Sequence, residues 1–180
     1  MNNQQNNTAR LAKMAMLVAI SIVLVMLIHF PIFPAVAFLE YDPADIPILI
    51  GTFAFGPAAG VVLTVVTSVL QGLTVSSSSG LYGIIMHIIA TSVLVLVSGL
   101  IYRSHKTKKM AVIGLLAGTC AMAAAMVVAN LFITPAFMGV ERAVVWQLMP
   151  FIVAFNLVKA GINSVVTFVL YKRISPFLHK

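Results

Sequence analysis

Runs of about twenty apolar residues recur along this chain of 180, and they decide its solvent before any motif is considered. A helix needs roughly twenty such residues to cross a hydrocarbon core about 30 Å thick. With 61% of residues hydrophobic and 8% charged, the chain lacks the polar surface that a soluble domain of its size requires. The runs therefore predict an all-α integral membrane protein with a single membrane domain over residues 1–180. Four spans follow from length alone: 11–29, 80–102, 110–133 and 146–171. The first has no small-residue cleavage site leading into a soluble region, so it reads as a retained helix and not as a leader.

Residues 46–75 are the ambiguous stretch, with Gly56-Pro57-Ala58-Ala59-Gly60 near the middle. Charge decides between one long helix and two short ones. Basic clusters stand at Arg10 and Lys13, at Arg103 to Lys109, and at Lys172, Arg173 and Lys180. The positive-inside rule assigns all three to the cytoplasm. That requires an even number of crossings between the first two clusters, hence a break at Gly-Pro and spans at 43–56 and 58–75. Six transmembrane helices result, with both termini cytoplasmic. The first of the split pair is short for a crossing and is expected to tilt or to start within the protein. The net charge of +7 thus reports topology, and because it sits at span ends instead of on one face it gives no reason to invoke nucleic acid. All four carboxylates, Glu40, Asp42, Asp45 and Glu141, fall in loops assigned to the outside, which leaves none within a span.

The first outer loop, FPIFPAVAFLEYDPADIP, is rich in proline and is expected to be a defined, non-helical structure. Asp42 or Asp45 can cap the helix that follows, and Pro47 favours the later start. As caps, both acids would face water. Glu40 and Tyr41 have no capping role, and an apolar loop of this length can fold over a pocket as a lid.

Lys159 lies deep in the last span. On a helix Asn156, Lys159 and Asn163, at i, i+3 and i+7, share an arc of about 60°. The lysine is roughly 18 Å by helical rise from the cytoplasmic end, beyond the reach of snorkelling. A charge at that depth costs at least about 2.5–3.5 kcal/mol on insertion scales. With no acid assigned to a span, its expected partners are carbonyl oxygens, water or a ligand. Asn130, at the end of the fifth span, adds a second amide near the same outer half. Phe137, Trp146 and Phe155 can supply aromatic walls, so these residues together describe a pocket for a flat, polar-edged, neutral or weakly anionic molecule.

Other signals are weaker. His29 and His87 stand alone without metal-ligand spacing and read as hydrogen-bonded structural residues. Ser76 to Ser79 form a small polar loop without the surroundings of a nucleophile. Cys120 has no partner cysteine, which removes disulfide and Cys-based metal chemistry, and it is expected to be a small buried packing residue. No nucleophile–base pair or metal set suggests an enzyme.

FLEYDPADIPILIG, the following FGP, NLFITPAFMG and FNLVKAGIN together resemble the riboflavin-specific S component of energy-coupling factor (ECF) vitamin transporters. The six-helix layout extends the likeness over nearly the whole chain. The resemblance implies a multi-pass cell-membrane subunit of bacterial type that captures riboflavin or a related flavin from outside. It also implies partnership with a transmembrane coupling subunit and two cytoplasmic ATPases, with riboflavin as transported ligand and no cofactor. Asn130, Asn156 and Lys159 are implied as contacts to the isoalloxazine ring, with Leu39, Glu40, Tyr41 and Asp42 in the covering loop.

The residues themselves agree with parts of this. The pyrimidine edge of isoalloxazine offers two carbonyls flanking an N–H, which an amide and an ammonium can meet. The chain has no Walker A sequence, so energy would come from another chain or from a gradient. A proton-coupled carrier would call for an intramembrane acid. Ala15 and Ala19, four residues apart on one face of the first helix, form a small-xxx-small pattern suited to a partner helix or to internal packing. Two other classes stay open on sequence alone: a solitary gradient-driven carrier and a membrane assembly factor without transport activity.

Overall fold

A computed structural model describes residues 2–178. Its helices are α1 (Asn2–Leu27), α2 (Asp45–Phe55), α3 (Pro57–Leu73), α4 (Gly80–Ser104), α5 (Lys108–Met138) and α6 (Arg142–Leu178). Between α1 and α2 lies a small hairpin, β1 (Phe30–Pro31) and β2 (Glu40–Tyr41), with a 3-10 turn at Pro34–Val36 in its loop. Its strands are antiparallel, with Phe30 opposite Tyr41 and Pro31 opposite Glu40. The expected loop is thus defined, though it includes a two-stranded ladder and a helical turn.

Among the described residues four helices are long and apolar enough to cross a membrane: Asn7–Leu27, Gly80–Ser104, Lys108–Met138 and Arg142–Tyr171. The ambiguous stretch breaks as charge required. Gly56 adopts φ 95°, a left-handed value open to glycine and strained for other residues, and Pro57 starts α3 where its missing N–H is not wanted. Several boundaries shift from expectation. α2 begins at Asp45 and not at 43, α5 continues through Pro135 to Met138, and α6 starts at Arg142.

With eleven residues α2 is about 16 Å long, too short to cross. It is buried from Asp45 to Phe53 and serves as an internal pillar wedged among the longer helices. Its start lies inside the bundle because the hairpin dips inward to reach it.

Apolar burial gives little drive for helix association in lipid, so close backbone approach has to supply it. α4 and α5 pack in this way. A Cβ on Gly114 would come within 2.8 Å of the Ser98 carbonyl oxygen, and one on Gly118 within 2.9 Å of that of Leu94. The two glycines, four apart, let the helices meet with nothing between them. Elsewhere large side chains such as Met16, Val23, Val62, Leu116, Phe132 and Val165 remain exposed, as surfaces facing lipid do. Cys120 belongs with them: it is exposed, which corrects the expectation of a buried packing residue. It occupies the α5 face turned away from α4.

A second apolar cluster joins Val36, Leu39 and Tyr41 of the hairpin to Val145, Met149, Ile152 and Phe155 of α6. The hairpin therefore docks on the outer half of α6. At the opposite end a cleft of about 500 Å³ lies between the α2–α3 break and the end of α4, lined by Phe55, Pro57, Tyr102, Arg103 and Lys106 among others. Arg10 donates to the Phe55 carbonyl at 3.1 Å beside it. The basic clusters of the first and middle groups so gather at one end and the carboxylates at the other.

This arrangement predicts the labelling pattern of single cysteines in a Cys120→Ala background. Ala37→Cys and Ser104→Cys are both at exposed positions. An impermeant maleimide added to intact cells should label position 37 and spare position 104 until the membrane is opened. Labelling of 104 from outside would contradict the orientation.

Candidate functional site

The hairpin, α3, α4, α5 and α6 enclose a cavity of about 100 Å³ near the acidic end. Asn156, Lys159 and Asn163 face inward as their spacing required, each less than a tenth exposed. Lys159 is not without an acid, however. Its Nζ donates to Asp42 Oδ2 at 2.7 Å, and both side chains are buried. This overturns two expectations, that no carboxylate reaches span depth and that Asp42 faces water. The reason is the dip of the hairpin, which carries an outer-loop residue into the bundle. The segment can make that excursion because its turn bonds the Val36 and Leu39 N–H groups to the Phe33 and Val36 carbonyls. The helices supply partners for the rest of its inner end, Ser21 to the Ala44 carbonyl and Asn163 to that of Asp42.

Asp42 is held from several sides. Its Oδ1 accepts from the Ala44 N–H at 3.1 Å, which shapes the turn into α2, and its Oδ2 also accepts from Gln71 Nε2 at 3.3 Å. Asp45 opens α2, where it is fully buried and makes no side-chain cap. Thr91 Oγ1 donates to it at 2.7 Å and Asn163 Nδ2 at 3.0 Å, with His87 Nε2 3.5 Å away. Its carboxylate also sits at the start of a helix, where the aligned peptide dipoles favour negative charge.

Asn163 ties the three parts together. It donates to the Asp42 backbone carbonyl at 3.1 Å as well as to Asp45, and it accepts from the Tyr41 hydroxyl at 3.1 Å. Burial, with Asp42 close by, raises the Tyr41 phenol above its ordinary pKa, so it stays a proton donor. The expected roles for the hairpin thus divide. Leu39, Glu40 and Asp42 line the cavity; Tyr41 does not, and instead anchors the strand to α6.

Asn156 and Lys159 both line the cavity, with Phe155, Met122 and Met126 forming an apolar wall beside them. Asn156 gives one amide proton to the Ile152 carbonyl, and its own carbonyl has no protein partner among the described residues. Of the three ammonium protons of Lys159, Asp42 takes one. An open acceptor and open donors therefore stand one helical turn apart at the wall.

Asn130 is brought nearby but not into the lining. It is fully buried, donates to the Met126 carbonyl at 2.8 Å and accepts from Thr134 at 2.8 Å. Thr134 in turn meets the Tyr82 hydroxyl at 2.9 Å, and Tyr82 lines the cavity while stacked on Phe137. Of the three expected aromatic walls only Phe155 lines the space; Trp146 is exposed.

Sequence reasoning missed the α3 side. Thr64, Thr67, Ser68 and Gln71 are all buried on one face of α3, and Ser68 and Gln71 line the cavity. Their three- and four-residue spacing in an apolar helix carried the same signal as the stripe on α6. His87, also at the wall, is a hydrogen-bonded residue as expected, with Nδ1 2.7 Å from Ser68 Oγ.

A helical bundle with a cavity at one membrane face, walled by apolar side chains and armed with a few open polar groups, defines a membrane protein that captures a small molecule. The family model of the ECF transporter substrate-specific component matches residues 9–171, and the chain belongs to that family. It is therefore the multi-pass, membrane-embedded substrate-binding subunit of an ECF transporter, a binding component and not itself an enzyme. The riboflavin transporter RibU of Staphylococcus aureus (strain TCH60) is 30% identical over 187 residues, covering 100% of this chain and 96% of the relative. RibU of Streptococcus thermophilus is 31% identical over 97% of this chain and 86% of its own. The riboflavin transporter FmnP of Bacillus subtilis (strain 168) is 28% identical, with 95% and 94% covered. A solved structure of the S component of a bacterial ECF transporter superposes with a TM-score of 0.82 at 31% identity, covering 98% of this chain and 99% of that one.

Asp42 and Asp45 are buried acids within the bundle, so the lack of an intramembrane acid is no ground against proton coupling, and the assignment to an ECF transporter rests on family membership.

The bonds of Asn163 predict the effect of Asn163→Leu. The change keeps the volume but leaves Asp45 and the Asp42 carbonyl each short of a buried donor. It should cost about 1.5–3 kcal/mol, read as a lowered melting temperature of the detergent-purified protein. Unchanged melting would show that the hairpin is held without it.

Proposed function

We propose that the cavity binds riboflavin or a closely related flavin from the outer side, and that the chain delivers it through an ATP-driven complex. The observation that carries this reading is the open Asn156 carbonyl beside the Lys159 ammonium. The imide edge of isoalloxazine presents an N–H between two carbonyls. An amide oxygen accepts from the first and an ammonium donates to a carbonyl next to it, with no formal charge required of the ligand. Met122, Met126 and Phe155 offer polarizable and aromatic surface to the ring faces. Asn130 supports the site through Thr134 and Tyr82 instead of by lining it.

The cavity volume, about 100 Å³, lies below the roughly 300 Å³ at the lower end of small-molecule pockets. A flavin therefore enters only when the hairpin lifts from α6. Leu39, Glu40 and Asp42 act as the cover, and Tyr41 as its attachment.

Energy is assigned to a transmembrane coupling subunit and two cytoplasmic ATPases, in keeping with the family and with the absence of a Walker A sequence. Ala15 and Ala19 are exposed on α1, whose packed face is formed by Leu17, Val18, Ser21 and Val25. A small-residue face left outside the core suits close approach by a partner helix.

One experiment with two arms tests this. Purified protein titrated with riboflavin should quench flavin fluorescence at one ligand per chain, and Asn156→Leu should weaken binding at least tenfold. Ala15→Leu should bind normally yet fail in cellular uptake with the ATPases present. Absence of quenching in the unaltered protein would refute the flavin reading, and equal loss of binding in Ala15→Leu would return that face to internal packing.

A further inference from the structure

The cleft at the cytoplasmic end takes no part in the site above. Its volume is about 500 Å³, against about 100 Å³ for the cavity beside the hairpin. We propose that it holds the phosphate headgroup of an anionic phospholipid from the inner leaflet, with Arg103 and Lys106 as the contacts to the phosphate.

The break at Gly56-Pro57 shapes the cleft. α4 passes the break at Gly99, where a Cβ would come within 2.7 Å of Thr52 Cγ2 and 3.0 Å of Pro57 Cβ. It then runs on to Ser104, about 7.5 Å further by helical rise, so its last turn stands beyond the link between α2 and α3. Arg103 and Lys106 are thereby carried to the cleft wall. Phe53 and Tyr102, with ring centroids 4.5 Å apart, give the same cleft an aromatic wall, and Tyr171 packs edge-on to both.

The charge at this end is unbalanced. Arg103 and Lys106 are exposed and make no hydrogen bond or ion pair among the described residues. The four Asp and Glu residues of the sequence stand in or beside the hairpin and in the loop before α6, too far away to neutralise them. Arg10 adds a third positive charge at the edge, where its guanidinium donates to the Phe55 carbonyl at 3.1 Å and lies over the Phe55 ring. That bond, and the one from the Gly56 N–H to the Thr52 carbonyl, answer two of the α2 carbonyls that would otherwise repel an anion. A guanidinium fork and an ammonium beside it suit phosphate oxygens, and basic pockets between helices on the cytoplasmic side suit lipid headgroups. The same cations repel the ammonium of a zwitterionic lipid, which selects an anionic one.

A lipid is favoured over a free anion by what adjoins the cleft. Ala58, Val62 and Val65 share one exposed face of α3, and Leu96, Leu100 and Arg103 share one of α4. Both faces start at the cleft and lead away from the cytoplasmic end, as acyl chains below a headgroup do.

Native mass spectrometry of the detergent-purified full chain, equilibrated with equal amounts of phosphatidylglycerol and phosphatidylcholine of the same acyl chains, tests this. One phosphatidylglycerol per chain should be retained, about tenfold in preference to phosphatidylcholine. Arg103→Gln/Lys106→Gln should reduce that preference to about twofold or less. Lys108→Gln/Lys109→Gln removes the same charge from exposed positions outside the cleft and should leave the preference intact. Equal loss in the two variants, which diffuse surface charge predicts, would overturn the proposal, as would equal retention of both lipids by the unaltered protein. Displacement of the lipid by millimolar inorganic phosphate would make the cleft a free-anion site and overturn the lipid assignment. A fall in cellular uptake with Arg103→Gln/Lys106→Gln at unchanged lipid retention would give the cleft to a protein partner instead.

Discussion

A lysine ammonium some 18 Å inside a helix bundle has to be matched by charge and hydrogen bonds, and here the match is the Asp42 carboxylate 2.7 Å away. Much of the outer half of the molecule is arranged around that requirement. Asp42 can reach Lys159 only if the segment before α2 descends into the bundle, which in turn makes α2 short and sets Asp45 at depth. Asp45 then needs its own donors, supplied by Thr91 of α4 and Asn163 of α6. Ser21 of α1 donates to the Ala44 carbonyl between the two acids at 3.1 Å. Four helices thus converge on four residues of chain, Asp42 to Asp45. A pair of buried charges is not by itself strong stabilisation, since their desolvation offsets much of the attraction. What the pair does is fix register: only one placement of the hairpin satisfies it.

The same arrangement connects fold to function. Asp42 contacts Lys159 and Gln71 through one oxygen, and both residues line the cavity. It holds the lysine in place and turns the Gln71 amide so that its nitrogen faces the carboxylate. Because Asp42 follows directly on the hairpin, the cover and the polar wall of the cavity form one network. Lifting the hairpin removes the anion from Lys159, and a ligand carbonyl with the ammonium's free donors can soften that loss. The rest of the bundle supplies rigidity, most plainly where Gly114 and Gly118 bring α5 against the α4 carbonyls.

Much of this was legible in the sequence. Apolar runs gave the four long helices, and the charge clusters placed a break at Gly56-Pro57 that its positive φ bears out. The inward stripe of Asn156, Lys159 and Asn163 followed from helical spacing alone. The partner of Lys159 did not follow, because hydropathy treats loop residues as outside and gives no sign that a proline-rich segment folds back into the bundle. Asp42 and Asp45 also look like helix caps, and this local reading competes with a tertiary one that no local pattern encodes. Gln71 was passed over as one polar residue in an apolar helix, although Thr64, Thr67 and Ser68 repeat its face. Asn130 carries a signal that the sequence leaves open: its type suggests a ligand contact, while in the fold its amide also bonds the Met126 carbonyl and Thr134.

The claim that Asp42 and Lys159 act as one unit is tested most directly by a double-mutant cycle on thermal stability of the ligand-free protein, using Asp42→Asn, Lys159→Met and both together. Each single change leaves a buried group uncompensated and should cost about 3–5 kcal/mol, whereas the double change removes the charge pair and should recover much of that loss. A double variant whose loss equals the sum of the two single losses would contradict the account, because the pair would then not be what seats the hairpin on the bundle.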